Sequence, residues 1–437
     1  KKIAERERAP IYRVGKVTGD NKFKVFDRKN NIETIDLKID SLFGNAPKKI
    51  ISDTTKITEY SEISYYAENI YDYVEGVLSL ESVACKDWLT NKVDRCVTGR
   101  IAQQQTVGEI QLPLSNCGVV SLDYDNYNGV ATSIGHSPIT GLVNPSIGSI
   151  NSIGESLTNI IWAPLVDGIK SISLSANWMW PCGNEGEDSR LYDAVSACSR
   201  FAIELGINIP TGKDSLSMVQ KYDSIKVKSP GTVIISASGH CEDVRKVIKP
   251  VLNKNIGDIY YIDMSFDELK LGGSSFAQTQ NKIGTNAPTI NDSKKFKDAF
   301  DLVQDLIRAN KIKSGHDISS GGMVTTLLEL CFSSDKIGMD IDLTEIGYSD
   351  TVKLFFSENA GLIIQSESDL NTDFSRLGVS CFKIGRINKD GLLNIKNFES
   401  DFSFNIDKYR DVWFSTSRDF DKIQTKNNKG VERFENY

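Results

Sequence analysis

Glu155 and Asn159 stand four residues apart in SINSIGESLTNIIWAPL (149–165), which places them on one helical face, one turn apart. Gly154, Ser156 and Thr158 beside them are small, so a phosphate and its cation can come close. Mg²⁺ takes hard oxygen ligands in octahedral geometry, a few from protein and the rest from water and phosphate. One helix turn supplies two such oxygens; other segments must finish the site. SGHDISSGGM (314–323) offers the rest. Asp317 can take a metal, Ser319 and Ser320 can donate to phosphate, and Gly321–Gly322 lets backbone N–H groups approach an anion where a loop feeds the next helix. Both patterns also have plainer readings: a solvated Glu/Asn face and an ordinary Asp/Ser helix cap.

Other stretches add weaker signals. Ser115 and Asn116 in PLSNCGVVSLD precede a buried strand, a place for ligand contacts or for a plain turn. LGGSSFAQ (271–278) is a second Gly-rich loop entering a helix. PTGKDSLSM lacks the spacing of a phosphate-binding P-loop, and LDYDNYNG misplaces the Gly and Glu of a calcium loop. NCG, PCGN and GHCE do not form the G-x-C-x-G elbow of a glutaminase, so glutamine hydrolysis is not expected of this chain.

Several elements must position these residues. PIYRVGKV and KFKVFD, separated by TGDN, predict a hairpin within residues 1–55, and 52–63 is a polar linker. Helical spacing runs from Ile63 to Leu80. Strand-like VTGRIA, NCGVVSLD, GVATSIGHSP, SISLSANWMW, INIP and GTVIISASGHC then alternate with helices after Pro145 and over GEDSRLYDAVSACSRFAIELG. From 242 a polar stretch leads to the buried strand GDIYYIDM. Helices at 276–282, 293–310 and 322–332 follow, with strands MDIDL, AGLIIQ, CFKIGRI and LLNIKN. The end of the chain reads as a helix running into a polar connector. The alternation predicts α/β and α+β architecture, with sheets covered by helices.

The 437 residues call for two to four domains. A net charge of −7 with no dense Lys/Arg block argues against nucleic acid or an anionic membrane as partner. No apolar run approaches the ~20 residues that span a bilayer. The eight cysteines form no CxxC pair and no zinc spacing, so buried free thiols and a reducing, cytoplasmic compartment are expected. The opening KKIAERERAP and the polar tail lead us to expect a segment of something longer.

The order of AERERAP, DRCVTGRIAQQQTVGEIQLPLSNC, IGESLTN, SANWMWPCGNEGED, TGKDSLSM, LGGSSFAQ and GHDISSGG resembles the synthetase region of the large, glutamine-dependent phosphoribosylformylglycinamidine synthase family of purine biosynthesis. The resemblance runs over essentially the whole chain. It implies that residues 1–55 end a first C-type domain and that 56–63 is a linker. It further implies an N-type domain at 64–241, a C-type α/β domain at 242–404, and a connector at 405–437 toward a missing glutaminase domain. N-type domains of this superfamily pair into a barrel-like sheet, here with a missing first synthetase half; self-association of the chain is allowed for.

For the intact enzyme the resemblance implies an ATP- and glutamine-dependent ligase acting on formylglycinamide ribonucleotide. For this part it implies an auxiliary ATP/ADP site with Mg²⁺ and no complete turnover. Carried over by motif, Asn116, Glu155, Asn159 and Asp317 match metal ligands. Ser115, Ser319, Lys86 and Asp94 match nucleotide contacts. Asn116 and Ser320 stand where Asp is usual, so nucleotide retention with fewer metals is expected. The alternative is a scaffold whose nucleotide is purely structural.

Overall fold

The structure, a computed structural model, describes residues 1–44, 48, 50–90, 92–254 and 257–436. Asn255, which ends the polar stretch after 242, and Tyr437, which ends the connector, lie outside them. Lys1–Ser52 and Asp53–Tyr437 are two compact units.

In the first unit β1 (Lys22–Asp27) pairs antiparallel with β2 (Ile32–Lys38). The hairpin is therefore one strand further along than the sequence predicts: KFKVFD is its first strand, and PIYRVGKV forms none. The turn chemistry decides this. Asp27 Oδ1 accepts the N–H groups of Lys29 and Asn30, an Asx turn that folds the chain back at 28–31.

The second unit opens with an extended segment and the Ile70–Leu78 helix, shorter than the 63–80 span predicted. Next come β3 (Ile101–Gln103), β4 (Gly118–Ser121), β5 (Gly129–His136), β6 (Ile172–Met179) and β7 (Asn208–Ser215). A small hairpin, β8 (Val219–Tyr222) with β9 (Ile225–Lys228), precedes β10 (Thr232–Cys241). A six-stranded sheet has the order β3-β4-β5-β10-β6-β7, antiparallel except for β6 with β7. The Pro145–Ile160 and Glu187–Leu205 helices cover one face of it. Asn144 caps the first of these, accepting the N–H groups of Ser146 and Ile147.

The rest of this unit holds β11 (Asp258–Asp263), β12 (Ile312–Ile318), β13 (Gly338–Asp342), β14 (Gly361–Ser366), β15 (Cys381–Asn388), β16 (Leu392–Asn397) and β17 (Ser400–Asn405). Their order is β12-β14-β11-β15-β13-β16-β17, with only β13 and β16 parallel. β11 is buried on both faces. Ile259 and Tyr261 enter a core with the Gly322–Phe332 helix, while Tyr260 and Ile262 enter a core shared with the Pro145–Ile160 and Ser293–Arg308 helices. That second core welds the two sheets' helical layers together. The Ser293–Arg308 helix matches its sequence pattern, burying Phe296, Ala299, Phe300, Val303, Leu306 and Ile307 at helical spacing.

Candidate functional site

Close approach of helix to sheet sets the site. The Pro145–Ile160 helix lies directly on β5 at Gly135, where a Cβ would run into Ser152 O and Ser156 N of the helix. Ser133 Oγ, on the same strand, donates to Ser156 O at 2.6 Å. This docking brings Glu155 over the end of β5, and its Oε2 accepts the His136 N–H at 2.7 Å.

Glu155 Oε1 accepts the hydroxyl of Ser319 at 2.8 Å. The two stretches singled out first in the sequence thus meet through a hydrogen bond that spans 164 residues of chain. Both line a cavity of about 430 Å³, together with Lys86, Ser275, Ser320 and Glu358.

Asp317 sits on β12, the edge strand of the second sheet, rather than in a loop. It is almost fully buried, and its Oδ2 has no hydrogen-bond partner. Its Oδ1 lies 3.2 Å from His316 Nδ1, and His316 Nε2 lies 3.0 Å from Glu329 Oε2. Burial alone would lower the His316 pKa, but the two flanking carboxylates outweigh it and hold the imidazole up at about 9. Lys86 Nζ donates to Glu81 O at 2.6 Å and also to Ala84 O; burial lowers its pKa, opposed by the charge of Glu329.

The remaining candidates lie on the neighbouring open face of the six-stranded sheet. Asp94, Ser115, Asn116 and Asn159 line a cavity there of about 920 Å³. Ser115 Oγ accepts from Gln103 Nε2 at 2.6 Å, and Asp94 Oδ1 accepts the Cys96 N–H at 2.9 Å. Asn159 Nδ2 reaches Ile134 O at 3.4 Å, and the buried Asn116 Nδ2 has no partner. Asp317 lines neither cavity. Its charge nevertheless reaches the thiol of Cys117, next to Asn116, a thiol pushed up to about 12 chiefly by burial. So Glu155 and Ser319 meet directly, Asn116 and Asn159 share the adjacent cavity, and Asp317 lines neither cavity, its charge felt at Cys117. Among the described residues no group of three or more His, Cys, Asp or Glu side chains is placed to hold a metal.

Glu358 escapes the sequence reading. Its Oε1 accepts the N–H groups of Ser275 at 2.8 Å and Gly321 at 2.7 Å, one from each Gly-rich loop. The backbone groups expected to face an anion therefore face the chain's own carboxylate. Burial raises the Glu358 pKa to about 7 against the pull of those two N–H groups. Gly321 and Gly322 hold φ of 93° and 74°, which a non-glycine residue rarely adopts. In sequence FFSENAGL shows only a lone Glu after an apolar run, with no spacing to mark it.

Comparison with known proteins fits this architecture. Residues 85–240 match the FGAR-AT PurM_N-like domain, and residues 259–396 match the AIR synthase related protein, C-terminal domain. The probable chloroplastic/mitochondrial phosphoribosylformylglycinamidine synthase of Arabidopsis thaliana is 36% identical over 97% of this chain and 31% of its own length. The Homo sapiens phosphoribosylformylglycinamidine synthase is 31% identical over 97% of this chain and 33% of its own. The chain belongs to the phosphoribosylformylglycinamidine synthase family. It spans about a third of the length of these family members. Among solved structures, T. maritima PurL complexed with FGAR superimposes with a TM-score of 0.59 at 10% identity, over 78% of this chain and 53% of that one. T. maritima PurL complexed with ATP gives 0.55 at 12% identity, over 78% and 52%. At such identities the likeness shows a common fold.

Proposed function

We propose that this chain forms part of an ATP- and glutamine-dependent ligase that converts formylglycinamide ribonucleotide to its amidine. Its own share of that enzyme is a nucleotide site in the 430 Å³ cavity lined by the Pro145–Ile160 helix and by the segments that carry Lys86, Ser275, Ser319 and Glu358. The Glu155–Ser319 hydrogen bond carries the reading, because it joins the two oxygen-rich motifs at one cavity wall. Ser320 and Lys86 face the cavity as phosphate donors and Ser319, its hydroxyl proton given to Glu155, contacts the nucleotide beside them, with Ser115 and Asp94 contacting it from the neighbouring cavity. The division follows the resemblance: 1–55 ends an earlier C-type domain, 56–63 links, 64–241 is N-type, 242–404 is C-type and 405–437 leads onward.

The donor set suits Mg²⁺ in kind, since Asn116, Glu155, Asn159 and Asp317 all present hard oxygens. The buried Oδ2 of Asp317, which accepts no hydrogen bond, is the atom that best fits a cation. When bound, Mg²⁺ would neutralise phosphate oxygens. With both Glu155 oxygens already engaged, the protein offers few free ligands, in keeping with a low metal count. Relatives are longer than this chain, so a first synthetase half and a glutaminase are its partners under this proposal, and the free cysteines support a reducing, cytoplasmic location. Titration calorimetry of the chain with MgADP and MgATP tests it: one saturable site per chain is expected. A folded chain that binds neither overturns it.

A nucleotide acting purely as a structural clamp is the second reading. The cavity lining favours it, because a ligand held by residues as far apart in the chain as Lys86, Glu155 and Ser319 binds only the folded state and stabilises by RT ln(1 + [L]/Kd).

A further inference from the structure

The helix Ile406–Gln424 buries Tyr409, Trp413 and Phe414, and a second helix, Lys429–Glu435, folds back beside it. Together they grip the segment that carries Lys86. Cys85 N–H donates to Trp413 O at 3.0 Å, and Trp413 Nε1 donates to Val83 O at 3.0 Å. Trp88 N–H donates to Ser417 Oγ at 2.8 Å, and the Trp88 ring stacks on Phe420 with centroids 4.7 Å apart. Arg433 Nη2 lies 2.5 Å from Asp87 Oδ2, and the Asp87 side chain is fully buried. Asp421 takes Lys92 Nζ at 2.6 Å and faces Arg433 Nη1 at 3.8 Å. Lys86 stands between these anchors, and its own side chain turns the other way, into the cavity.

We infer that Arg433 is a positioning residue: by neutralising and holding buried Asp87, it fixes the adjacent Lys86 ammonium in the cavity wall. The geometry leaves little slack. Residues 85, 87 and 88 are each tied to the two C-terminal helices, so release of one tie lets the Lys86 backbone shift and its ammonium leave the carbonyls of Glu81 and Ala84. Without Arg433 the buried Asp87 carboxylate loses the cation beside it, and a buried carboxylate that loses a counter-charge is strongly disfavoured where it sits. The C-terminal helices are in this way part of the frame of the cavity. The consequence for ligand affinity rests on the nucleotide reading above; the consequence for Lys86 itself does not.

The test compares the chain with its R433Q and R433K forms by trinitrobenzenesulfonate labelling and peptide mapping. Lys86 in the parent chain should label slowly, its ammonium being held by two carbonyls. R433Q should raise Lys86 labelling about tenfold while the surface residues Lys254 and Lys294 label as before, and R433K, which keeps the charge, should raise it less. If R433Q does not fold, R433K alone decides: no change at Lys86 overturns the inference. Unchanged Lys86 labelling in a folded R433Q chain also overturns it, even if the melting temperature falls, because that outcome is a structural role alone. MgADP affinity then separates the two readings. R433Q should weaken it about tenfold in the parent chain and not at all in a K86M background. Faster Lys86 labelling with MgADP affinity indifferent to K86M supports the positioning role and sinks the nucleotide contact of Lys86. Equal weakening in both backgrounds overturns the route through Lys86.

Discussion

The Asp317–His316–Glu329 triad should make folding stability fall as the solution turns alkaline. The imidazole is 11% exposed and sits between carboxylates 3.2 and 3.0 Å away. In the unfolded chain His titrates near 6.5; in the fold it holds its proton to about 9. A raised folded pKa contributes stability that is fully present below the unfolded value and is lost as pH rises through the folded value. Over that window the contribution is about 1.4 kcal/mol per pH unit, or about 3 kcal/mol in all. His316→Gln removes the cation and strands two carboxylates, the kind of change that costs about 3–5 kcal/mol in a buried pair. Urea denaturation of the parent chain and H316Q, run from pH 6 to pH 10, measures the gap between them. The gap should be about 3 kcal/mol or more at pH 6 and shrink by about 3 kcal/mol by pH 10. Ionisation of cysteines in the unfolded chain occurs in both proteins and cancels from the difference. A gap that stays flat across the range, or widens, would show that His316 is neutral in the fold and refute the reasoning.

Glu155→Ala should abolish measurable MgADP binding in calorimetry while leaving the secondary structure intact, because it removes the oxygen that joins Ser319 to the helix. Glu358→Gln keeps an acceptor for the Ser275 and Gly321 N–H groups and removes a carboxyl whose pKa is raised to about 7. A carboxyl with a raised folded pKa costs stability as pH rises from about 4.5 to about 7, so E358Q should exceed the parent by about 1–3 kcal/mol at pH 8 and match it at pH 4.5 in denaturant titrations. Gly135→Ala should lift the Pro145–Ile160 helix off β5, lowering stability by about 2–3 kcal/mol and weakening MgADP binding together.

Elements with a strong internal rhythm were legible in the sequence. The Ser293–Arg308 and Gly322–Phe332 helices and the strand β11 fall where their apolar spacing puts them, because each buries enough side chains to fix its own face. β12 lacked that signal. Between Ile312 and Ile318 it carries only polar residues and Gly315, whose bare Cα lies against the Trp162 ring. A strand held by packing from a distant tryptophan shows no period of its own, and so Asp317 read as a loop residue.

The site shows the same division between local and distant causes. The oxygen-bearing residues of the 149–165 helix and the 314–323 stretch were visible as chemistry, since residue type and spacing are local facts. Their meeting depends on Gly135 admitting the helix and on β12 lying at the sheet edge, and neither follows from the motifs themselves. Glu358 was illegible for a stronger reason: its role exists only where two loops from separate parts of the chain converge on one oxygen. Read alone, those loops offer free N–H groups to any anion. Folded, they have already been given one, so a phosphate entering this cavity must be met by hydroxyls and by Lys86, or must displace a carboxylate that the same two N–H groups hold. Glu358, which lines this cavity with Lys86, is held by Ser275, 83 residues away in the chain, and by Gly321, 37 away, while Asp87, the neighbour of Lys86, pairs with Arg433 in the last described helix; no short window of sequence contains these pairs.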